Sequence, residues 1–200
     1  MAEITPALVK TLRERTGIGM MDCKRALQQT DGDLEKAVDF LRKQGMASIE
    51  KRSGRQATDG LIASYIHPGS RLGVLVEVNC ETDFVARTDD FQQFAKDIAM
   101  HIAAEQPLAV AREELDPKAI EREREIYLEQ ARNEKKPDHI AAKIVEGRLE
   151  KYYQDVCLLD QAFVKNPDQT VKDLVAELTA KIGEKISIRR FSCFRLGENG

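Results

Sequence analysis

In the stretch VEVNCETDFVAR, Val76 to Arg87, Glu81, Thr82, Asp83 and Phe84 follow one another directly, so two acids, a hydroxyl and an aromatic ring sit side by side. Carboxylates two positions apart could serve acid–base catalysis, and Cys80 just before them adds a potential nucleophile. In an extended segment, however, Glu81 and Asp83 fall on one side, where each like charge opposes the other, and a solvated pair is the simpler account. A thiol enzyme would need a base that the sequence does not place near Cys80. Phe84 has two readings. Phenylalanine is among the residues most often buried, so the ring could anchor the chain in the core. Its flank is polar, though, and the next helix already brings Phe91 and Phe94 at core spacing, which favours a ring held out for a partner. Burying it there is worth about 1.5–3 kcal/mol as one interface anchor.

No other stretch proposes a reaction. His67, His101 and His139 fall in a turn and on two helices without HExxH spacing, and no GxxxxGK[ST], GxGxxG or GxSxG stretch occurs. The four cysteines stand singly and read as reduced cytosolic thiols; neither a metal nor a cofactor is expected. Lys and Arg total 31 against 34 for Asp and Glu, so no global basic field draws the chain to nucleic acid. The local run EKRSGR, Glu50 to Arg55, reads either as a solvated linker or as a contact to a phosphate or acidic partner. An RNA-binding reading through that run and Arg189 with Arg190 has only Phe191 and Phe194 as nearby stacking rings. The start lacks an apolar signal core, and no run is long enough to span a bilayer, so a cytoplasmic protein is expected.

The positioning elements follow from periodicity. Thr5 before Pro6 opens a first helix with Leu8 and Leu12 on one face, and Thr16 and Gly17 stop it. Met20, Cys23 and Leu27 share a face of a second, which places Met20 in the core and leaves Met21, with Lys24 beside it, as the better contact candidate. Leu34, Ala37, Val38 and Leu41 mark a third, closed at Gly45. The run from Gly60 to Asn79 reads as a hairpin turning at Pro68 to Ser70, with apolar residues on both faces. Asp89 and Gln92 suggest a capping box before a helix carrying Phe91, Phe94, Ala95, Ile98 and Ile102. Further helices are marked at Pro117, Pro137 and Thr170, and a last strand, KISIRRFSCF, shifts parity at Arg189 and Arg190, where a bulge is expected. The fold class is α+β: three helices over residues 1–45, a basic linker over 46–58, and a core of antiparallel sheet packed with helices over 59–200.

The segments TGIGMMDCKRAL and GVLVEVNCETDFVAR resemble the two signature segments of the translation elongation factor Ts family, in the same order and at similar spacing. The likeness covers essentially the whole chain, including HPGSRLGVLVE, GRLEKYY and GEKISIRRF. It implies a guanine-nucleotide exchange factor that binds elongation factor Tu with GDP and performs no covalent chemistry. It further implies that residues 1–45 are a ubiquitin-associated-type module docking on the nucleotide-binding domain of Tu; the methionine-rich start of the second helix makes Met20, Met21 and Lys24 the candidate contacts. Thr82, Asp83, Phe84 and Val85 would intrude beside the nucleotide and dislodge magnesium. Ile18 and Glu50 depart from the residues expected near the module's loop and linker. Longer members carry a second sheet-containing half and a protruding coiled coil, for which this chain leaves no room, so it is similar to the short form. An apolar sheet face drawn from Leu61, Tyr65, Leu75 and Phe191, with no obvious cover, then implies a homodimer whose strands could bring Cys193 near its twin. The competing expectation is that the helix from Thr170 to Gly183 covers that face.

Overall fold

Thr5 caps the first helix as expected: its hydroxyl accepts the Leu8 N–H, Pro6 takes the first position, and α1 (Pro6–Thr16) ends where Gly17 turns left-handed at φ 67°. The computed structural model of the chain describes residues 4–52, 54–134 and 137–198, the side chains of 45–52 and 138 excepted. α2 (Met20–Gln29) and α3 (Leu34–Arg52) complete the amino-terminal helices. Val9, Leu12, Ile18, Cys23, Ala26, Leu27, Ala37 and Leu41 form one buried cluster. Two expectations fail here. α3 does not close at Gly45 but runs on to Arg52. A single glycine inside a helix costs only about 1 kcal/mol, and Met46, Ala47, Glu50, Lys51 and Arg52 are good helix formers. Met20 is not in the core; it is the first residue of α2 and 55% exposed, while Ile18 just before it is buried. The part of the basic run up to Ser53 lies outside the described side chains.

β1 (Asp59–Ile66) and β2 (Leu72–Cys80) form the expected hairpin, its turn closed by the Ser70 N–H donating to the His67 carbonyl. After β2 come α4 (Asp83–Ala86), α5 (Asp89–Glu105), α6 (Pro117–Asn133) and α7 (Asp138–Val156). β3 (Ala162–Phe163), β4 (Asn166–Thr170), α8 (Val171–Ile182) and β5 (Ser187–Arg195) follow. The antiparallel three-stranded sheet has the order β1-β2-β5, and β3 pairs with β4 in a small second sheet. Along β2, Val74, Val76, Val78 and Cys80 are buried while Leu75 is exposed; along β1, Ala63 is buried while Ile62 and Ile66 are exposed. The exposed face therefore carries Ile62, Ile66 and Leu75, and Leu61 and Tyr65 belong to the other parity. In β5, Ile188 is buried, yet Arg190 at the same parity is exposed and its guanidinium bonds Glu77 at 2.7 Å, so the alternation does break there.

The helix α5 starts one residue earlier in its capping than the sequence suggests. Thr88, not Asp89, accepts the Phe91 N–H at 3.4 Å, because the Thr88 hydroxyl is already oriented by donating to the Val85 carbonyl at 2.8 Å. Asp116 caps α6 through the Lys118 N–H. α6 and α7, at the helix starts expected from Pro117 and Pro137, pack together as a helical hairpin tied by Arg124 with Glu146. The chain divides into two compact units, one of Met1–Leu61, Val78–Gln93 and Asp173–Ser187, the other of the remainder. Among the described residues no helix is long and apolar enough to cross a membrane.

Candidate functional site

β2 delivers the chain to the site with its last residue, Cys80, buried. Thr82 is extended, at φ −133° and ψ 153°, and the next four residues form the single turn α4. One turn sends neighbouring side chains apart: Val85 is buried and Phe84 is 79% exposed. Phe84 is therefore not a core anchor. The segment is also not the extended strand that the sequence suggested, so Glu81 and Asp83 do not stand side by side. Asp83 instead accepts from the Arg87 guanidinium at 2.7 Å, one helical turn on.

Glu81 turns the other way, its carboxylate accepting the Lys185 N–H at 2.7 Å and facing the Arg55 guanidinium at 3.2 Å. Glu184, the residue before Lys185, accepts the N–H of Glu81 at 3.1 Å, the N–H of Thr82 at 3.0 Å and the Thr82 hydroxyl at 2.7 Å. It reaches them because Gly183, at φ 86°, ends α8 in a left-handed turn that glycine adopts without strain. Glu184 was not visible in the sequence. It lies 102 residues from Thr82, and a Gly-Glu pair after a helix carries no local signal of what it will hold.

The Cys80 thiol donates to the Thr82 carbonyl at 3.1 Å. Burial, with the Glu184 charge nearby, pushes its pKa up to about 11, so the thiol stays protonated and is a poor nucleophile. A buried, protonated thiol does not favour the thiol-enzyme reading. His101 is a core residue: its Nδ1 accepts the Val164 N–H, its Nε2 pairs with Gln161 Oε1 at 3.0 Å, and burial lowers its pKa. In α2, Met21 is 69% exposed and Lys24 is exposed with it, so Met20, Met21 and Lys24 all present themselves to solvent. These residues and Thr82 to Val85 belong to the same compact unit.

Comparison with known proteins places the chain in the class of translation elongation factors. The family model described as Elongation factor TS matches residues 46–198. Over 195 residues the chain is 60% identical to the elongation factor Ts of Carboxydothermus hydrogenoformans, covering 98% of this chain and 90% of that relative. The elongation factor Ts of Syntrophobacter fumaroxidans is 55% identical over 195 residues, 98% of each chain. The chain belongs to the elongation factor Ts family. Its role is guanine-nucleotide exchange in translation elongation.

Proposed function

We propose that the chain binds elongation factor Tu carrying GDP, inserts the turn Thr82–Val85 beside the nucleotide, displaces the magnesium ion and so promotes replacement of GDP by GTP. The observation that carries this reading is Phe84, 79% exposed on a turn whose next residue, Val85, is buried. A ring held in water by a braced turn costs little to move into a partner and gains about 1.5–3 kcal/mol when buried there. Magnesium neutralises the phosphates and their protein ligands, so a wedge that expels it leaves the nucleotide held by fewer charges. Coupling is reciprocal: nucleotide weakens the factor by the ratio in which the factor weakens nucleotide, and incoming GTP therefore releases it. No bond is made or broken by this chain, and neither a cofactor nor nucleic acid takes part.

Residues 1–45 act as a ubiquitin-associated-type docking module, with Met20, Met21 and Lys24 as its contact surface. Residues 46–58 connect it to a core of 59–200. Methionine's flexible thioether suits an adaptable contact, and both methionines are exposed. The protein works in the cytoplasm, as a homodimer joined through the exposed face of its sheet, where Ile62, Ile66 and Leu75 stand in solvent. The test of the central reading is release of labelled GDP from Tu. Wild type should accelerate it and Phe84→Ala should lose most of that acceleration; equal rates for the two would refute the wedge.

A further inference from the structure

We infer that Glu184 is a positioning residue for nucleotide exchange, its carboxylate fixing the direction in which Phe84 leaves the protein. The inference rests on Phe84 being the inserted ring. A four-residue helix has almost no stability of its own, since the first turn fixes several dihedral angles for one hydrogen bond. Something outside α4 must therefore hold it. Thr82 occupies the capping position, where a threonine hydroxyl ordinarily accepts a backbone N–H of its own helix, yet it makes no such bond. That hydroxyl donates to Glu184 at 2.7 Å instead, and the two amides leading into the turn, those of Glu81 and Thr82, donate to the same carboxylate.

The arrangement is reciprocal. Residues 81 and 82 give three donors to Glu184, and residue 185 returns one to Glu81 at 2.7 Å. Lys185 also donates through Nζ to the Arg55 carbonyl at 2.9 Å, so a third segment is tied to the same point. On the far side of Phe84 the chain is fixed by buried Val85 and by the Thr88 hydroxyl on the Val85 carbonyl. The ring thus projects between two anchored ends while having no cover of its own. A carboxylate accepting three charge-assisted bonds is a stiff anchor; alanine removes all three, and glutamine keeps one neutral oxygen for the two amides and can only donate to the Thr82 hydroxyl. Loosening the entry end would let the ring sample directions that miss the nucleotide site.

The experiment measures GDP release from Tu as a function of exchange-factor concentration, for Glu184→Ala, Glu184→Gln and Phe84→Ala. Positioning predicts that Glu184→Ala lowers the release rate at saturation about tenfold and leaves the half-saturating concentration within about twofold, because the docking module is untouched. Glu184→Gln, which keeps one acceptor oxygen, should fall between. Hydrogen exchange at the amides of Glu81 and Thr82 should quicken in both Glu184 variants. If Glu184→Ala does not fold, Glu184→Gln is judged by the same split. A Glu184 variant with the wild-type saturated rate, beside a slow Phe84→Ala, overturns the positioning role and leaves the wedge standing. A Phe84→Ala variant with the wild-type rate overturns the wedge and the positioning role together. A loss confined to melting temperature, with the rate per folded molecule unchanged, also overturns the role assigned to Glu184.

Discussion

Phe84 and Val85 are neighbours with opposite surroundings, and their substitutions separate binding from folding. Val85 is buried, so Val85→Ala removes about two methylene equivalents from the core and should cost about 1.5 kcal/mol in denaturant unfolding. Phe84→Ala should shift unfolding by less than about 0.5 kcal/mol while exchange falls, because the ring rests on solvent rather than on the core. Asp83→Asn breaks only an exposed pair with Arg87, a contact worth about 0.3–0.5 kcal/mol, and keeps the side chain's shape; exchange should drop less than for Phe84→Ala. The cysteines give a further residue-scale test. Cys23, Cys80 and Cys157 are buried and Cys193 is exposed. A thiol reagent added to the native protein should therefore modify Cys193 first and the other three only on unfolding. Fast modification of Cys80 would contradict both its burial and its raised pKa.

Elements add two constraints. Gly60 in β1 has φ 146°, and a Cβ there would sit 2.1 Å from the Val78 carbonyl oxygen. Gly60→Ala must push two backbone segments apart, at a cost of roughly 2–4 kcal/mol, visible as a lower denaturant midpoint. His101 fastens α5 to the β3–β4 hairpin in its neutral form. Burial depresses its folded pKa below the ordinary 6.5, so the unfolded chain binds the proton more readily. The stability this creates is complete above the unfolded value and is lost as pH falls through the depressed folded one. Unfolding free energy should fall on acidification below about pH 6.5, and His101→Gln should flatten that part of the profile. Most elements were legible in the sequence because their signals are local: Thr5 with Pro6, Asp116 with Pro117, and the turn at Pro68 to Ser70 each act within a few residues. The turn carrying Phe84 was not legible. Its anchors, Glu184 and Arg55, come from distant parts of the chain, and a single turn is too short to show a period. Met20 departs from its pattern for a related reason: helical spacing puts it with Cys23 and Leu27, but at the first residue of α2 it is Ile18, two positions earlier, that is buried.

At the scale of the whole molecule the open question is what covers the exposed side of the sheet. With every described helix in place, Ile62, Ile66, Leu75 and Phe194 remain exposed, and Ile62 and Leu75 line a groove with Glu77, Arg190, Phe191 and Ser192. The rival expectation is that the helix following Thr170 lies over the face drawn from Leu61, Tyr65, Leu75 and Phe191; α8 buries its own Val171, Val175, Ala176 and Leu178. Apolar side chains gathered on a sheet face are worth about 1.5–3 kcal/mol each when fully buried, so a second copy meeting the same patch has a sizeable driving force. A two-fold axis suits it, because each chain offers the identical surface and the closed pair leaves none for further growth. The Arg190 and Glu77 pair, 2.7 Å apart, is part of the groove's lining and would supply a polar rim to an apolar centre. Sedimentation equilibrium at micromolar concentration should give a dimer. The run is made under reducing conditions because Cys193 is exposed on β5 and a disulfide could otherwise mimic association. Leu75→Glu should give a monomer with an unchanged far-ultraviolet spectrum, since its side chain already meets water in the single chain. A wild-type monomer would end the dimer proposal, and a Leu75→Glu dimer would place the interface elsewhere.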